Sequence, residues 1–167
     1  DGKRLIWTST RDLTDLPKGS YSDPANYPTG AELYSSALDG SDIKRLTNNQ
    51  VYDAEVGVSP DGKWILWARQ IDGEVDLWRM PADGSGQEQQ ITFTKGEQEG
   101  GAFYLPDSET VLFRSWDISV QGRGMPMTIY TINHDGSGKK QISTQEGTNW
   151  APYPAPDGEH YAYVKFL

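Results

Sequence analysis

Ser59-Pro60-Asp61-Gly62-Lys63-Trp64-Ile65-Leu66-Trp67-Ala68 is the stretch on which the fold turns. Proline presets φ, aspartate bonds its own backbone and glycine accepts a positive φ, so Pro60-Asp61-Gly62 reads as a turn. The β-branched and aromatic residues after it read as a strand. The same frame returns as Pro106-Asp107-Ser108, with its glycine lost to Ser108, and as Pro156-Asp157-Gly158; the chain opens on Asp1-Gly2. Six residues after each aspartate stands an aromatic side chain: Trp7, Trp67, Phe113 and Tyr163. A second signature interleaves with the first, as Asp39-Gly40-Ser41, Asp83-Gly84-Ser85 and Asp135-Gly136-Ser137. Tyr34, Trp78 and Tyr130 each stand five residues before one of these aspartates. Asp-Gly predicts a tight hairpin turn. The pairs Leu46-Thr47, Ile91-Thr92 and Ile142-Ser143 then mark a short returning strand.

A last segment of small or apolar residues, such as Val56-Gly57-Val58 or Gly101-Ala102-Phe103, leads to the next Pro-Asp. Each unit therefore holds four short strands. Four-stranded sheets repeated at roughly 40–50 residues are blades of a β-propeller. The expected fold is all-β, with blades of four antiparallel strands and about three and a half blades in view. The units run over about 1–58, 59–104 and 105–154, with the start of a fourth over 155–167. All of them belong to a single propeller segment.

These markers, in this order, resemble the Pro-Asp (WD40-like) propeller repeat of the TolB family. The resemblance covers essentially the whole chain. It implies a six-bladed ring, of which this chain supplies about half. The first residues fall inside a blade and the last end within a strand, so a segment of a longer protein is expected. The resemblance also implies an exported or periplasmic setting. It implies protein partners, a lipoprotein or a membrane-bound complex among them. Similar blades front the catalytic domains of prolyl-oligopeptidase-like serine peptidases or form lyases, so the fold alone does not give the function.

The net charge of −9 and the pI near 4.6 argue against nucleic acid as a partner, because phosphates demand basic surfaces. They also argue against adhesion to anionic lipid. The absence of cysteine excludes disulfides, thiolate nucleophiles and cysteine-ligated zinc. No apolar run reaches transmembrane length, so direct membrane insertion of this segment is not expected.

The search for chemistry returns turns. His134 and His160 are separated and lack metal-type spacing. Ser85 and Ser137 belong to the Asp-Gly-Ser repeat, and no Gly-x-Ser-x-Gly elbow is present. Asp61, Asp107 and Asp157 occupy equivalent corners of successive units, where bonds to nearby backbone amides are expected. The run Gly96-Glu97-Gln98-Glu99-Gly100-Gly101 offers oxygens to a hard cation such as Ca²⁺, but lacks Asp-x-Asp-x-Asp spacing and is expected to be a solvated turn. No catalytic residue, cofactor site or metal site is assigned, and the chain is expected not to be an enzyme by itself.

Two insertions remain. They occupy about residues 11–31 in the first unit and 117–127 in the third, where the second unit has only a short turn near Gln70–Val75. The first carries Tyr21 and Tyr27 among three prolines; the second has Trp116 at its root with Arg123 and Met125 inside. Aromatics, arginine and methionine are the side chains enriched in protein interfaces. Tyr21, Tyr27, Trp116, Arg123 and Met125 are the candidate partner-binding residues. Because both insertions join the same pair of strands in their units, they should emerge on one side of the arc. The expected function is a non-catalytic interaction or scaffold module, an accessory or adaptor subunit of an exported or membrane-associated assembly. The alternative is the substrate-gating propeller of a serine peptidase.

Overall fold

The computed structural model describes residues 2–120 and 124–166. Thirteen strands form among them, and their antiparallel pairings group them into four successive sheets, of which the second and third run on into one another through a parallel β6–β8 bridge. The first sheet holds β1 (Arg4–Ser9), β2 (Glu32–Ala37) and β3 (Lys44–Arg45). The second holds β4 (Tyr52–Val58), β5 (Trp64–Ile71), β6 (Glu74–Pro81) and β7 (Gln89–Gln90). The third repeats this with β8 (Glu97–Tyr104), β9 (Thr110–Asp117), β10 (Thr128–Asn133) and β11 (Lys140–Gln141). β12 (Thr148–Pro154) and β13 (Tyr161–Phe166) form the last pair. Pairing within every sheet is antiparallel. Successive sheets are joined by single parallel bridges at equivalent places: Ala31 to Tyr52, Val75 to Gln98 and Met127 to Thr148. This is the arrangement of propeller blades. The sheets are offset from the sequence units by one strand: the segment that closes each unit opens the next blade.

The recurring residues have recurring jobs. Asp39, Asp83 and Asp135 each accept from the serine two residues on, at 2.9 Å from its amide and 2.6–2.7 Å from its hydroxyl. Asp61, Asp107 and Asp157 accept the amides of Lys63, Glu109 and Glu159 at 2.9–3.1 Å. Both aspartate series therefore close turns, as their spacing predicts. Ser108 holds the positive φ that Gly62 and Gly158 hold in the other Pro-Asp turns (61° against 73° and 72°). Its hydroxyl accepts the amide of Asp61 in the neighbouring blade at 3.0 Å, an interblade bond that a glycine could not make.

The buried hydroxyls of Thr47, Thr92 and Ser143 each accept a backbone amide of β2, β6 or β10, from Leu33, Leu77 and Ile129, all at 2.9 Å. A side chain thus fills a ladder position where the short outer strand has ended. Thr92→Val keeps the shape and removes the acceptor, leaving the Leu77 amide buried and unpaired. A loss of about 1–3 kcal/mol is expected in urea unfolding. An unchanged midpoint would show that this bond does not hold the outer strand.

The repeated aromatics meet across the sheet. Trp7 faces Tyr34, Trp67 faces Trp78 and Phe113 faces Tyr130, each in register. Every pair carries a cation: Arg11, Arg69 and Lys139 lie 4.6–6.0 Å from the ring centroids. Trp67, Tyr34 and Phe113 are fully buried. One apolar cluster joins Leu33 of the first blade to Ile65, Trp67 and Met80 of the second, and another joins Leu66 and Leu77 to Val111 and Phe113 of the third. Burial is incomplete at three of the recurring aromatics. Trp78 and Tyr130 are half-buried under their cations, and Tyr163 is 36% exposed because no third strand lies beside β13 among the described residues.

The run Gly96–Gly101 is also corrected. Glu97 onward is strand β8, and Glu99 is fully buried. Its carboxylate is taken by Lys139 at 3.1 Å and Thr94 at 3.1 Å, while Glu97 accepts from Ser115 at 2.5 Å. Glycines and acids read as loop, but here they form the first strand of a blade, in which Glu97 and Glu99 each find a partner for one carboxylate oxygen.

Candidate functional site

The first strand of each blade sets the geometry of the ring's inner face. β4, β8 and β12 each shift register at one bulge, where Glu55, Gly101 and Ala151 take φ of 54°, 58° and 50°. Next to these bulges, Arg114 ties three blades together. It donates to Glu55 of the second blade at 3.0 Å and lies 4.2 Å over Trp150 of the fourth. A Cβ at Gly101 would collide with the guanidinium, so Arg114 holds this position only beside a glycine. Arg114 is nearly buried and already paired, which assigns it to assembly of the blades.

The first insertion folds down onto the second blade. Asp23 caps a single 3-10 turn, Pro24–Asn26, by accepting the Ala25 amide at 3.1 Å. Gln70 of β5 donates to the Pro24 carbonyl at 3.0 Å. Tyr27 lies flat on Tyr52, with centroids 4.1 Å apart and planes 8° apart. Burial, then the nearby Glu55 carboxylate, pushes the Tyr27 hydroxyl up to about 12. The second insertion is pinned at both roots. The Ile118 amide donates to the Gly96 carbonyl at 3.0 Å, and the Met125 carbonyl accepts from Thr148 at 2.6 Å.

The two insertions border one cleft of about 580 Å³. The first insertion supplies Asp23, Pro24 and Ala25 to it, and the β5–β6 hairpin supplies Gln70 and Gly73. The third blade supplies Gln98, Trp116, Ile118, Val120 and Met125. The two insertions therefore share one face of the arc, as their equivalent places in the repeat predict. Trp116 and Met125 line the cleft. Tyr21 is 55% exposed beside Tyr52, and Tyr27 is engaged in the stack described above. Neither tyrosine lines the cleft. Arg123 lies outside the described residues. Sequence reading missed Gln70 and Gln98, which belong to the scaffold strands and carry no motif. Gln98 is 4% exposed; its amide nitrogen donates to the Gly73 carbonyl at 2.9 Å and its Oε1 has no partner.

The histidines are apart, as their spacing predicts. His134 packs edge-on against Trp64 and Tyr104, and burial followed by Arg79 holds its pKa below the usual value. His160 is exposed and bonds Asp157 at 2.8 Å. The hydroxyls of Ser85 and Ser137 are committed to their turns. Among the described residues no group of three or more His, Asp and Glu side chains is arranged to hold a metal ion.

One carboxylate is poised to titrate. Asp76 is pushed up to about 6, first by burial and then by the Glu99 carboxylate across the seam between the second and third blades. Burial raises Glu99 as well. A raised acid stabilises the fold while protonated, and that contribution is lost as pH rises through about 6. Asp76→Asn is therefore expected to exceed the wild type at pH 7.5 by about 1 kcal/mol, the figure reduced because the side chain is half in water. The gain should vanish near pH 4. Thermal unfolding at both pH values checks this, and a gain that does not depend on pH would contradict it.

No protein-family model matches the chain. An uncharacterized protein of Agrobacterium fabrum is 27% identical over 141 residues, covering 81% of this chain and 47% of that protein. The TolB homologue of Chlorobium luteolum is 23% identical over 133 residues, covering 80% of this chain and 28% of the homologue. Among solved structures, TolB of Acinetobacter baumannii superposes with a TM-score of 0.72 at 19% identity, over 98% of this chain and 35% of that one. A TolB-type protein of Agrobacterium tumefaciens superposes with a TM-score of 0.71 at 23% identity, over 99% of this chain and 56% of that one. The chain has the blade fold of the TolB β-propellers. The propeller spans about half the length of the Agrobacterium fabrum relative. A shorter likeness is also present: dipeptidyl aminopeptidase BIII of Pseudoxanthomonas mexicana is 32% identical over 60 residues, which is 36% of this chain and 9% of the enzyme. Among the described residues no helix is long and apolar enough to cross a membrane.

Proposed function

We propose that this propeller is a non-catalytic protein-interaction module that docks a partner on its insertion face. It serves as an accessory or adaptor subunit of an exported or membrane-associated assembly. The observation that carries the reading is that two unrelated insertions border one cleft, on a scaffold whose recurring serines and aspartates are all committed to turns. Rigid β scaffolds that present variable loops are a common platform for binding. The TolB likeness favours an extracytoplasmic setting.

The test is to replace residues 11–29 by an Asp-Gly turn like that of the β5–β6 hairpin. Gly30 and Ala31 stay, because Gly30 donates to the Val51 carbonyl and Ala31 accepts from Asp53. The expected result is a folded protein, within a few degrees of the wild-type Tm, that no longer retains its co-purifying partner. Undiminished retention by a folded variant would sink the proposal. The peptidase likeness over 60 residues favours a second reading, a propeller that gates a peptidase domain. Hydrolysis of dipeptidyl substrates by the full-length protein, lost with the nucleophile of such a domain, would establish that instead.

A further inference from the structure

The three parallel bridges that join successive blades make three seams, and a pair of polar side chains follows each bridge. After Ala31–Tyr52 come Glu32 and Asp53, after Val75–Gln98 come Asp76 and Glu99, and after Met127–Thr148 come Thr128 and Asn149. The first pair is balanced in charge. Arg45 donates to Glu32 at 2.9 Å, and Arg69 holds Asp53 with two bonds. Asn49 links the two acids, through its backbone amide to Glu32 and its side chain to Asp53. The third pair is neutral, and Asn149 donates across its seam to the Met127 carbonyl at 2.7 Å.

The second pair has two acids and one cation. Gln90 stands where Arg45 stands in the first blade, since each is the register partner of the aromatic one strand in, Trp78 and Tyr34. It gives Asp76 only an amide N–H, at 3.0 Å. Arg69, the register partner of Asp76 on β5, spends its guanidinium on Asp53 and Glu88. Lys139 reaches Glu99 at 3.1 Å and is shared with Glu97 at 3.6 Å. Glu74 adds a further negative charge near Asp76. The single hydroxyl hydrogen of Thr92 is donated to Asp76 at 3.3 Å. Glu99 is fully buried, and its Oε2 accepts from no donor. Two ionised carboxylates with no second cation are costly in such a place, and one proton removes the cost. Burial raises both acids, and the Glu99 carboxylate helps to raise Asp76 to about 6.

We propose that the seam between the second and third blades is a proton-dependent joint, in which one proton held by the Asp76–Glu99 pair takes the place of the arginine that closes the first seam. While held, the proton keeps the two blades together. Its release leaves like charges across the seam, and these blades part locally while the first seam stays shut. The sign follows from the raised acids: the closed seam is favoured while they are protonated, and that contribution is lost as pH rises through about 6. His134 packs against Trp64 and Tyr104 between the same blades, and its lowered pKa acts in the opposite sense, since its protonation in acid works against that packing. The joint is independent of the docking reading of the insertion face.

The test is amide hydrogen exchange of the full-length protein at pH 5 and pH 7.5, read by mass spectrometry and corrected for the intrinsic effect of pH. Protection of residues 74–78 and 96–101, at the second seam, is expected to fall by about three- to tenfold between the two pH values. Residues 31–35 and 51–54, at the first seam, should keep theirs. In Asp76→Asn the fall at the second seam should vanish. Gln90→Arg, which restores the arginine of the first blade, should hold the second seam at its pH 5 protection at pH 7.5. His134 is common to all three proteins, so the differences between them report the carboxylates. An equal fall at both seams, no fall in the wild type, or a fall that survives in Asp76→Asn would overturn the proposal. A folded Gln90→Arg protein with the wild-type fall would overturn it as well. The nearly isosteric Asp76→Asn decides by itself if the arginine does not fit.

Discussion

Trp67→Ala is expected to lower the unfolding free energy by about 3–5 kcal/mol, read from the urea midpoint at constant slope. Trp67 has no exposed surface and is the largest fully buried side chain among the described residues. It packs with Leu33 of the preceding blade and with Ile65 and Met80 of its own. It faces Trp78 in register, carries Arg69 at 5.3 Å over its ring and donates its indole N–H to Asp53 at 3.2 Å. Truncation opens a cavity at the interblade seam and removes a donor from a buried carboxylate, so the effects add in one direction. Tyr163 occupies the same place in the repeat but is 36% exposed, and Tyr163→Ala should cost well under half as much. A Trp67→Ala midpoint equal to that of the wild type would show that these aromatics do not form the seam between blades.

The difference between Trp67 and Tyr163 marks what could be read in the sequence. Turn chemistry is local: an aspartate that bonds the amide two residues on leaves its mark within three letters, and three copies fix the blade repeat. The aromatic pairs were visible too, because each member keeps a constant distance from an aspartate. Of the strands that open the blades, only the ends next to the Pro-Asp turns were legible. β4, β8 and β12 bury Asp53, Glu99 and Asn149 completely, so their hydropathy resembles that of loops. Their partners are remote or depend on the fold: Lys139 for Glu99, and the Met127 carbonyl for Asn149. The shared face of the two insertions followed from the repeat alone. The floor of their cleft did not, because Gln70 and Gln98 act there through their positions at the ends of β5 and β8. Tyr27, chosen as an interface residue, spends much of its ring on Tyr52, since an insertion must first be anchored before it can present anything.

Asp53→Ala is expected to cost as much as the tryptophan, about 3–5 kcal/mol, through electrostatics more than through volume. Asp53 is fully buried and accepts four bonds. Two come from the Arg69 guanidinium at 2.6 and 2.8 Å, one from Trp67, and one from Asn49 at 2.8 Å. Arg69, 5% exposed, also reaches Glu88, but Glu88 is 32% exposed. Removing Asp53 leaves a buried cation with only that half-solvated partner. Glu88→Ala should therefore cost no more than about 1 kcal/mol, and Asp53→Ala with Arg69→Ala should cost less than the sum of the two single changes. Equal losses for Asp53→Ala and Glu88→Ala would show that the buried pair is not the determinant. The pair also explains why a blade opens on a polar strand. Asp53 and Arg69 are register partners on β4 and β5, four residues before the bulge ends at Gly57. A one-residue slip would turn Asp53 to the other face and strand both charges. An apolar strand of glycines and valines could slide at little cost; this one cannot, and its alignment fixes where the β5–β6 hairpin stands in the cleft.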